Sequence, residues 1–219
     1  MTCLFVERLT VIDFSFLDRV RGIVGESLIL DVELTGELND QGMLFDFSLV
    51  KKNIKQWVDD YIDHKLVIPM GVISNPLVQF VDEPKQSQLK QSTFYFKLVS
   101  GESIFHQSPR DAVLFIQNEE SIGCEQLKQH LAQRLITILP SNVKSIDLDL
   151  HPEIIDGDFY HYSHGLQQHD GNCQRIAHGH RSSIIIETDG QRNKSLEHYW
   201  SECWKDIYLA TRFHQTDCE

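Results

Sequence analysis

Between Phe159 and Ile186 the chain reads FYHYSHGLQQHDGNCQRIAHGHRSSIII, and five of its eleven histidines fall there beside one cysteine. His178 and His180 are two apart and lead into an apolar, β-branched run that reads as a strand. On a strand, residues i and i+2 project from the same face, so these two imidazoles point together. His164, at the end of a preceding aromatic strand, completes a tripod. Three neutral histidines suit Zn²⁺ and leave the metal an open coordination position, as catalytic rather than structural zinc requires. A metal held this way polarises hydroxyl or carbonyl oxygens, or lowers the pKa of a bound water to about 7. A single histidine is more often an ordinary polar residue than a ligand; three at strand-compatible positions favour the metal. His161, in the alternating aromatic strand, and His169, in a polar loop, read as spare. Arg175 and Arg181 flank the motif and could meet an anionic substrate.

The elements that position these residues follow from periodicity. Leu9 to Phe16 and Ser27 to Thr35 alternate as strands, with a turn signal at Gly36 to Gly42, and predict an antiparallel hairpin layer. Asp46 or Ser48 can cap a helix running to about Asp63, with Leu49, Ile54, Trp57, Val58, Tyr61 and Ile62 at helical spacing. Lys65 to Gln117 holds short β-rich pieces and reads as an inserted hairpin region. Cys124 to Leu139 is a second amphipathic helix, and Val143 to Leu150 alternates as a strand. After Glu153 to Asp158 the pattern restarts: a strand at Phe159 to His164, a polar loop, a strand at Arg181 to Thr188, a turn at Asp189-Gly190, and a helix from about Ser195 to Thr211. An internal repeat is visible. VGESLILDVELTGEL, from Val24, aligns with HGHRSSIIIETDGQR, from His178, so Val24 and Glu26 stand where the second copy has its histidine pair.

Composition narrows the function. The hydrophobic fraction of 41% and charged fraction of 24% are those of a globular protein. A formal charge of -12 argues against a nucleic-acid backbone binder, which needs Lys and Arg to neutralise phosphates. No apolar run reaches the length of a membrane span, and the N-terminus lacks the pattern of a secretory signal. Five cysteines are an odd number without framework spacing, which suits a reducing compartment, and the chain reads as cytoplasmic.

SHGL, a cysteine shortly before HGH, the strand and helix that follow, and an Asp-His pair at a helix end together resemble the 6-pyruvoyltetrahydropterin synthase and 6-carboxytetrahydropterin synthase family. The resemblance implies an α+β tunnelling fold: an antiparallel four-stranded sheet with two helices on one face, assembled into barrels as a homo-oligomer. On it, residues 1–152 form a tunnelling-fold domain lacking zinc ligands, with a β-rich insertion at about 66–118. Residues 153–219 form a partial second copy carrying the zinc motif, and that copy is C-terminally short of another helix and two more strands.

The resemblance also implies roles. His164, His178 and His180 hold Zn²⁺. Cys173 is the base, its thiolate favoured by the nearby dication, and Asp63 and His64 exchange protons with it. The pterin ring is anchored in the family by a glutamate after the last strand; the alignment falls on Leu150, and Glu153, three residues further on, is the candidate. The substrate is dihydroneopterin triphosphate, converted to 6-carboxytetrahydropterin or 6-pyruvoyltetrahydropterin in pterin and queuosine biosynthesis. Each copy lacks what the other retains, so the expected site is composite, with the Asp-His pair from one copy and the metal ligands and thiol from the other. The competing expectation is a non-catalytic zinc- or pterin-binding tunnelling-fold assembly protein. A zinc hydrolase fits less well, because no Glu or Asp is clearly placed to activate a metal-bound water.

Overall fold

The computed structural model describes residues 1–44, 46–73, 91–117, 119–165 and 177–210. Two long strands open the chain, β1 (Thr2–Asp18) and β2 (Gly22–Gly36). Their turn lies at Arg19 to Arg21, ahead of the Gly36 to Gly42 signal, which follows β2, and Gly22 takes a left-handed φ of 85° that suits a residue without Cβ. The elements that follow are α1 (Phe47–Tyr61), β3 (Leu66–Pro69), β4 (Gln91–Lys97), β5 (Ser103–Pro109), β6 (Val113–Ile116), α2 (Cys124–Leu135) and β7 (Val143–Pro152). The last part of the chain adds β8 (Phe159–His164), β9 (His178–Ser183), β10 (Glu187–Thr188), β11 (Gln191–Arg192), α3 (Lys194–Cys203) and β12 (Ile207–Leu209). The class is α+β.

The chain divides into two compact units that interleave along the sequence. The first comprises Met1–Ile12, Ser27–Asp63 and Gly123–Glu153. In it the strand order is β1-β2-β7, and β2 pairs antiparallel with β7 from Leu28↔Pro152 to Gly36↔Val143. Helix α1 is capped by Asp46, whose side chain accepts the Leu49 N–H, and it buries Val50, Ile54 and Val58 at four-residue spacing. Removing each of these side chains from water contributes roughly 1.5–3 kcal/mol. Helix α2 packs against β7 and buries Leu127, Leu131 and Leu135 in the same way. The two helices are tied by Tyr61 Oη and His130 Nε2, 2.8 Å apart.

The second unit comprises Asp13–Glu26, His64–Ile122 and Ile154–Glu219. Here β1 pairs in parallel with β3, at Ser15↔Leu66, and β3 in parallel with β6. Both β3 and β6 are buried throughout, although β6 is the edge strand of its sheet, so part of the region read from sequence as a hairpin insertion belongs to the sheet. The hairpin itself is β4-β5. Phe94, Phe96, Phe115, Leu66, Ile68 and Leu17 meet in one apolar cluster. A separate three-stranded sheet, order β12-β8-β9, carries the histidines.

Candidate metal centre

Strands β8 and β9 pair antiparallel with His164 directly opposite His178 and Tyr162 opposite His180. Opposed residues share a face, as do i and i+2, so the register brings all three histidines to one side. Their ligating atoms lie within 4.8 Å of one another. His164 Nε2 and His180 Nε2 are 3.3 Å apart, close to the edge of a tetrahedron with metal–nitrogen bonds of about 2.0–2.1 Å.

Gly179, between the two histidines of β9, allows the strand to approach its neighbours. A Cβ there would run into the Cα of Gly25 and come within 2.8 Å of Ser15 Oγ. A Cβ on Gly25 would run into the Tyr162 carbonyl oxygen. Beside this contact the Ser15 and Ser163 hydroxyls are 2.7 Å apart and buried.

Two of the three imidazoles favour the neutral form that a metal ligand needs. Burial pushes the His178 imidazole down to about 3, and the neighbouring His164, His64 and His180 add to the effect. His164 is lowered for the same reasons, burial first and then His180 and His64. Both nitrogens of His178 are buried, and among the described residues neither has a hydrogen-bond partner. A neutral imidazole has one donor and one acceptor, and leaving such groups buried and unmatched costs about 1–3 kcal/mol each. A cation between the three rings would take up the acceptor nitrogen, so the residues present fit a metal ion.

His64 joins the group. It follows α1 in a left-handed conformation, φ 59°, its N–H donates to the Asp13 carbonyl at 2.7 Å, and its ring centroid is 4.5 Å from that of His178. Of the other residues singled out in the sequence, Cys173, His169 and Arg175 lie outside the described residues. Asp63 closes the α1 segment of the first unit. Glu153 is exposed there and forms an ion pair with Arg8 at 3.8 Å. His161 is taken up by structure: its Nδ1–H donates to the Gly25 carbonyl at 2.7 Å. Arg181 sits over the Phe159 ring, 4.0 Å from its centroid.

Sequence reasoning missed Asp13, whose Oδ1 is 3.3 Å from His180 Nδ1. The signal it left is an acid with apolar neighbours on both sides in VIDFSF. It also missed Asp31, Asp149 and His151 on β2 and β7, a second group whose ligand atoms converge. That group is satisfied internally: His151 Nε2 is 3.3 Å from Asp31 Oδ2, and the Arg8 N–H donates to Asp31 Oδ1 at 2.6 Å.

A three-histidine cluster on a strand pair, in an α+β chain with amphipathic helices beside a β1-β2-β7 sheet, defines a tunnelling-fold protein with a candidate metal centre. Similarity to known proteins agrees. Residues 18–80 match the sequence model of the family described as 6-pyruvoyl tetrahydropterin synthase. A protein of Pyrococcus horikoshii named "Putative 6-carboxy-5,6,7,8-tetrahydropterin synthase" is 24% identical over 135 residues, covering 62% of this chain and 71% of its own length. One of the same name from Methanocaldococcus jannaschii is 29% identical over 143 residues, 63% of this chain and 78% of its own. The crystal structure of Plasmodium vivax 6-pyruvoyl tetrahydropterin synthase superposes with a TM-score of 0.51 at 17% identity, over 69% of this chain and 91% of that one, which supports the fold. The chain is thus similar in sequence to tetrahydropterin synthases over part of its length and shares their fold.

Proposed function

We propose that this chain is a zinc-dependent lyase that converts dihydroneopterin triphosphate to 6-carboxytetrahydropterin, or to its 6-pyruvoyl counterpart, in the pathway to pterins and queuosine. The observation that carries this reading is the convergence of His164, His178 and His180, with both His178 nitrogens buried and unpartnered among the described residues, in a chain whose curated relatives are named as tetrahydropterin synthases.

His164, His178 and His180 would hold the ion. When bound, Zn²⁺ supplies Lewis acidity to the side-chain hydroxyls of the substrate and favours ionised groups beside it. Cys173 Sγ, as thiolate, accepts the proton from the substrate side chain. The His64 imidazole, against His178, receives and returns that proton, and the Asp63 carboxylate favours its charged form. Glu153 is the candidate anchor for the guanidine-like edge of the pterin. On this reading residues 1–152 are a copy without metal ligands, and residues 153–219 a partial copy with them. Their single composite site uses the relay of one and the metal of the other. The protein then works as a cytoplasmic homo-oligomer on a small anionic substrate.

Metal analysis combined with incubation on dihydroneopterin triphosphate, followed by mass spectrometry, tests the proposal. The expected result is about one zinc per chain and consumption of substrate with loss of triphosphate. Stoichiometric zinc without consumption would instead identify a non-catalytic binding protein of the same fold. In the Asp63→Ala variant turnover should fall while zinc is retained; unchanged turnover would remove the relay from the mechanism.

A further inference from the structure

We propose that Asp13 is the positioning residue of the histidine cluster, holding His180 through its carboxylate and His64 through its main-chain carbonyl. The inference rests on the reading of the three histidines as metal ligands and adds a group that the motif does not contain. Asp13 lies on β1 with its side chain 26% exposed, and an acid so far withdrawn from water needs a partner. Its Oδ1 is 3.3 Å from His180 Nδ1. A carboxylate on the δ nitrogen keeps the proton there and leaves the ε nitrogen as the lone-pair donor. That is the His180 nitrogen facing His164 Nε2 at 3.3 Å.

The same residue acts a second time through its backbone. The Asp13 carbonyl accepts the His64 N–H at 2.7 Å, fixing His64 at φ 59°, a conformation uncommon for residues other than glycine. One residue thus sets the orientation of a ligand and the location of the imidazole packed on His178. An acid that merely formed an ion pair with a protonated His180 would oppose metal binding, because the proton must leave before the nitrogen can ligate, and its removal would raise affinity instead of lowering it, which separates the two roles.

The test uses the full chain with Zn²⁺ and Co²⁺ as probes, affinities being read by chelator competition for wild type, Asp13→Asn and Asp13→Ala. Asparagine preserves size and an acceptor oxygen without the charge, and guards against an alanine variant that fails to fold. Loss of an outer carboxylate typically weakens metal binding about 10–100-fold. Asp13→Ala should lose affinity in that range and Asp13→Asn less, with metal-free thermal midpoints near wild type. Long-range ¹H–¹⁵N spectra of the metal-free chain should show His180 protonated at Nδ1 in wild type and that preference lost in Asp13→Ala. Wild-type affinity in both variants, or an unchanged His180 tautomer, overturns the inference. A wild-type chain that binds neither ion overturns the metal reading itself, and this inference with it.

Discussion

The imidazole of His64 lies against that of His178, ring centroids 4.5 Å apart and planes tilted by 41°, although one residue follows the first helix and the other opens β9. Two separate parts of the chain therefore bring basic side chains to one place. His64 is not among the three residues whose ligating atoms converge, and on the proposed mechanism it carries the proton. Substituting His64→Ala should lower turnover of dihydroneopterin triphosphate by about 10²–10⁴-fold, the usual contribution of a positioned acid–base group. Zinc content should stay at the wild-type level. If metal is lost along with activity, His64 serves the metal rather than the proton, and its place in the relay must be given up.

The unpartnered nitrogens of His178 make a prediction about stability. An ion that binds the folded chain alone raises its stability by RT ln(1 + [L]/Kd), about 2.7 kcal/mol at a concentration of 100 Kd. Thermal unfolding of chelator-treated protein should thus move up by several degrees when zinc is restored. His178→Leu should abolish that response. In the metal-free state the variant should be no less stable than wild type, because it removes buried polar atoms that have no partner. A zinc-induced shift that survives in His178→Leu would place the bound ion elsewhere, for instance at Asp31, Asp149 and His151.

Much of the site could be read in the sequence because its geometry is local. Two histidines at i and i+2 on a strand must share a face, and the aromatic alternation before His164 marks the strand that supplies the third. The fold was less legible where context decides. The strands β3 and β6 are four-residue runs buried on both faces, so they show no alternation to separate them from the β4-β5 hairpin between them. The first turn went unflagged because Arg19 to Arg21 holds none of the Gly, Asn or Pro residues that mark turns. Helix α3 was expected to reach Thr211, but it ends at Cys203 and the chain turns into β12. Asp13 meets His180 only through tertiary packing, which no spacing rule encodes. Gly25 and Gly179, aligned by sequence, touch each other, and Ser15 meets Ser163.

That contact can be tested by filling it. A methyl group on Gly179 has no room against Gly25 Cα and Ser15 Oγ, and the atoms in its way include backbone. Gly179→Ala should destabilise the chain by about 2 kcal/mol or more, in the range of an overpacked core, and weaken metal binding by moving the two histidines that flank it. Gly190→Ala is the control: it also alters a glycine, at a turn with φ 75° and open space around it, and should leave metal affinity unchanged. Equal effects of the two substitutions on zinc affinity would show that the close approach of the strands does not set the site.

Stability should also depend on pH through histidines remote from the cluster. His106, on β5, is 8% exposed and stacked on Phe94, and burial lowers its pKa from 6.5 to about 4. As pH falls, the unfolded chain takes up this proton near 6.5 while the folded chain resists it. Stability is therefore unaffected above about pH 6.5, declines between 6.5 and 4, and levels off below. Over that window the group accounts for a loss on the order of 3 kcal/mol, at about 1.36 kcal/mol per pKa unit. His130, lowered to about 4 by burial and then by Arg134, acts in the same direction. Urea unfolding in chelator at a series of pH values should show this decline in wild type and a smaller one in His106→Gln, which does not titrate there. Parallel curves for the two proteins would mean that His106 is protonated in the folded chain at little cost, and that its burial against Phe94 is looser than the structure has it.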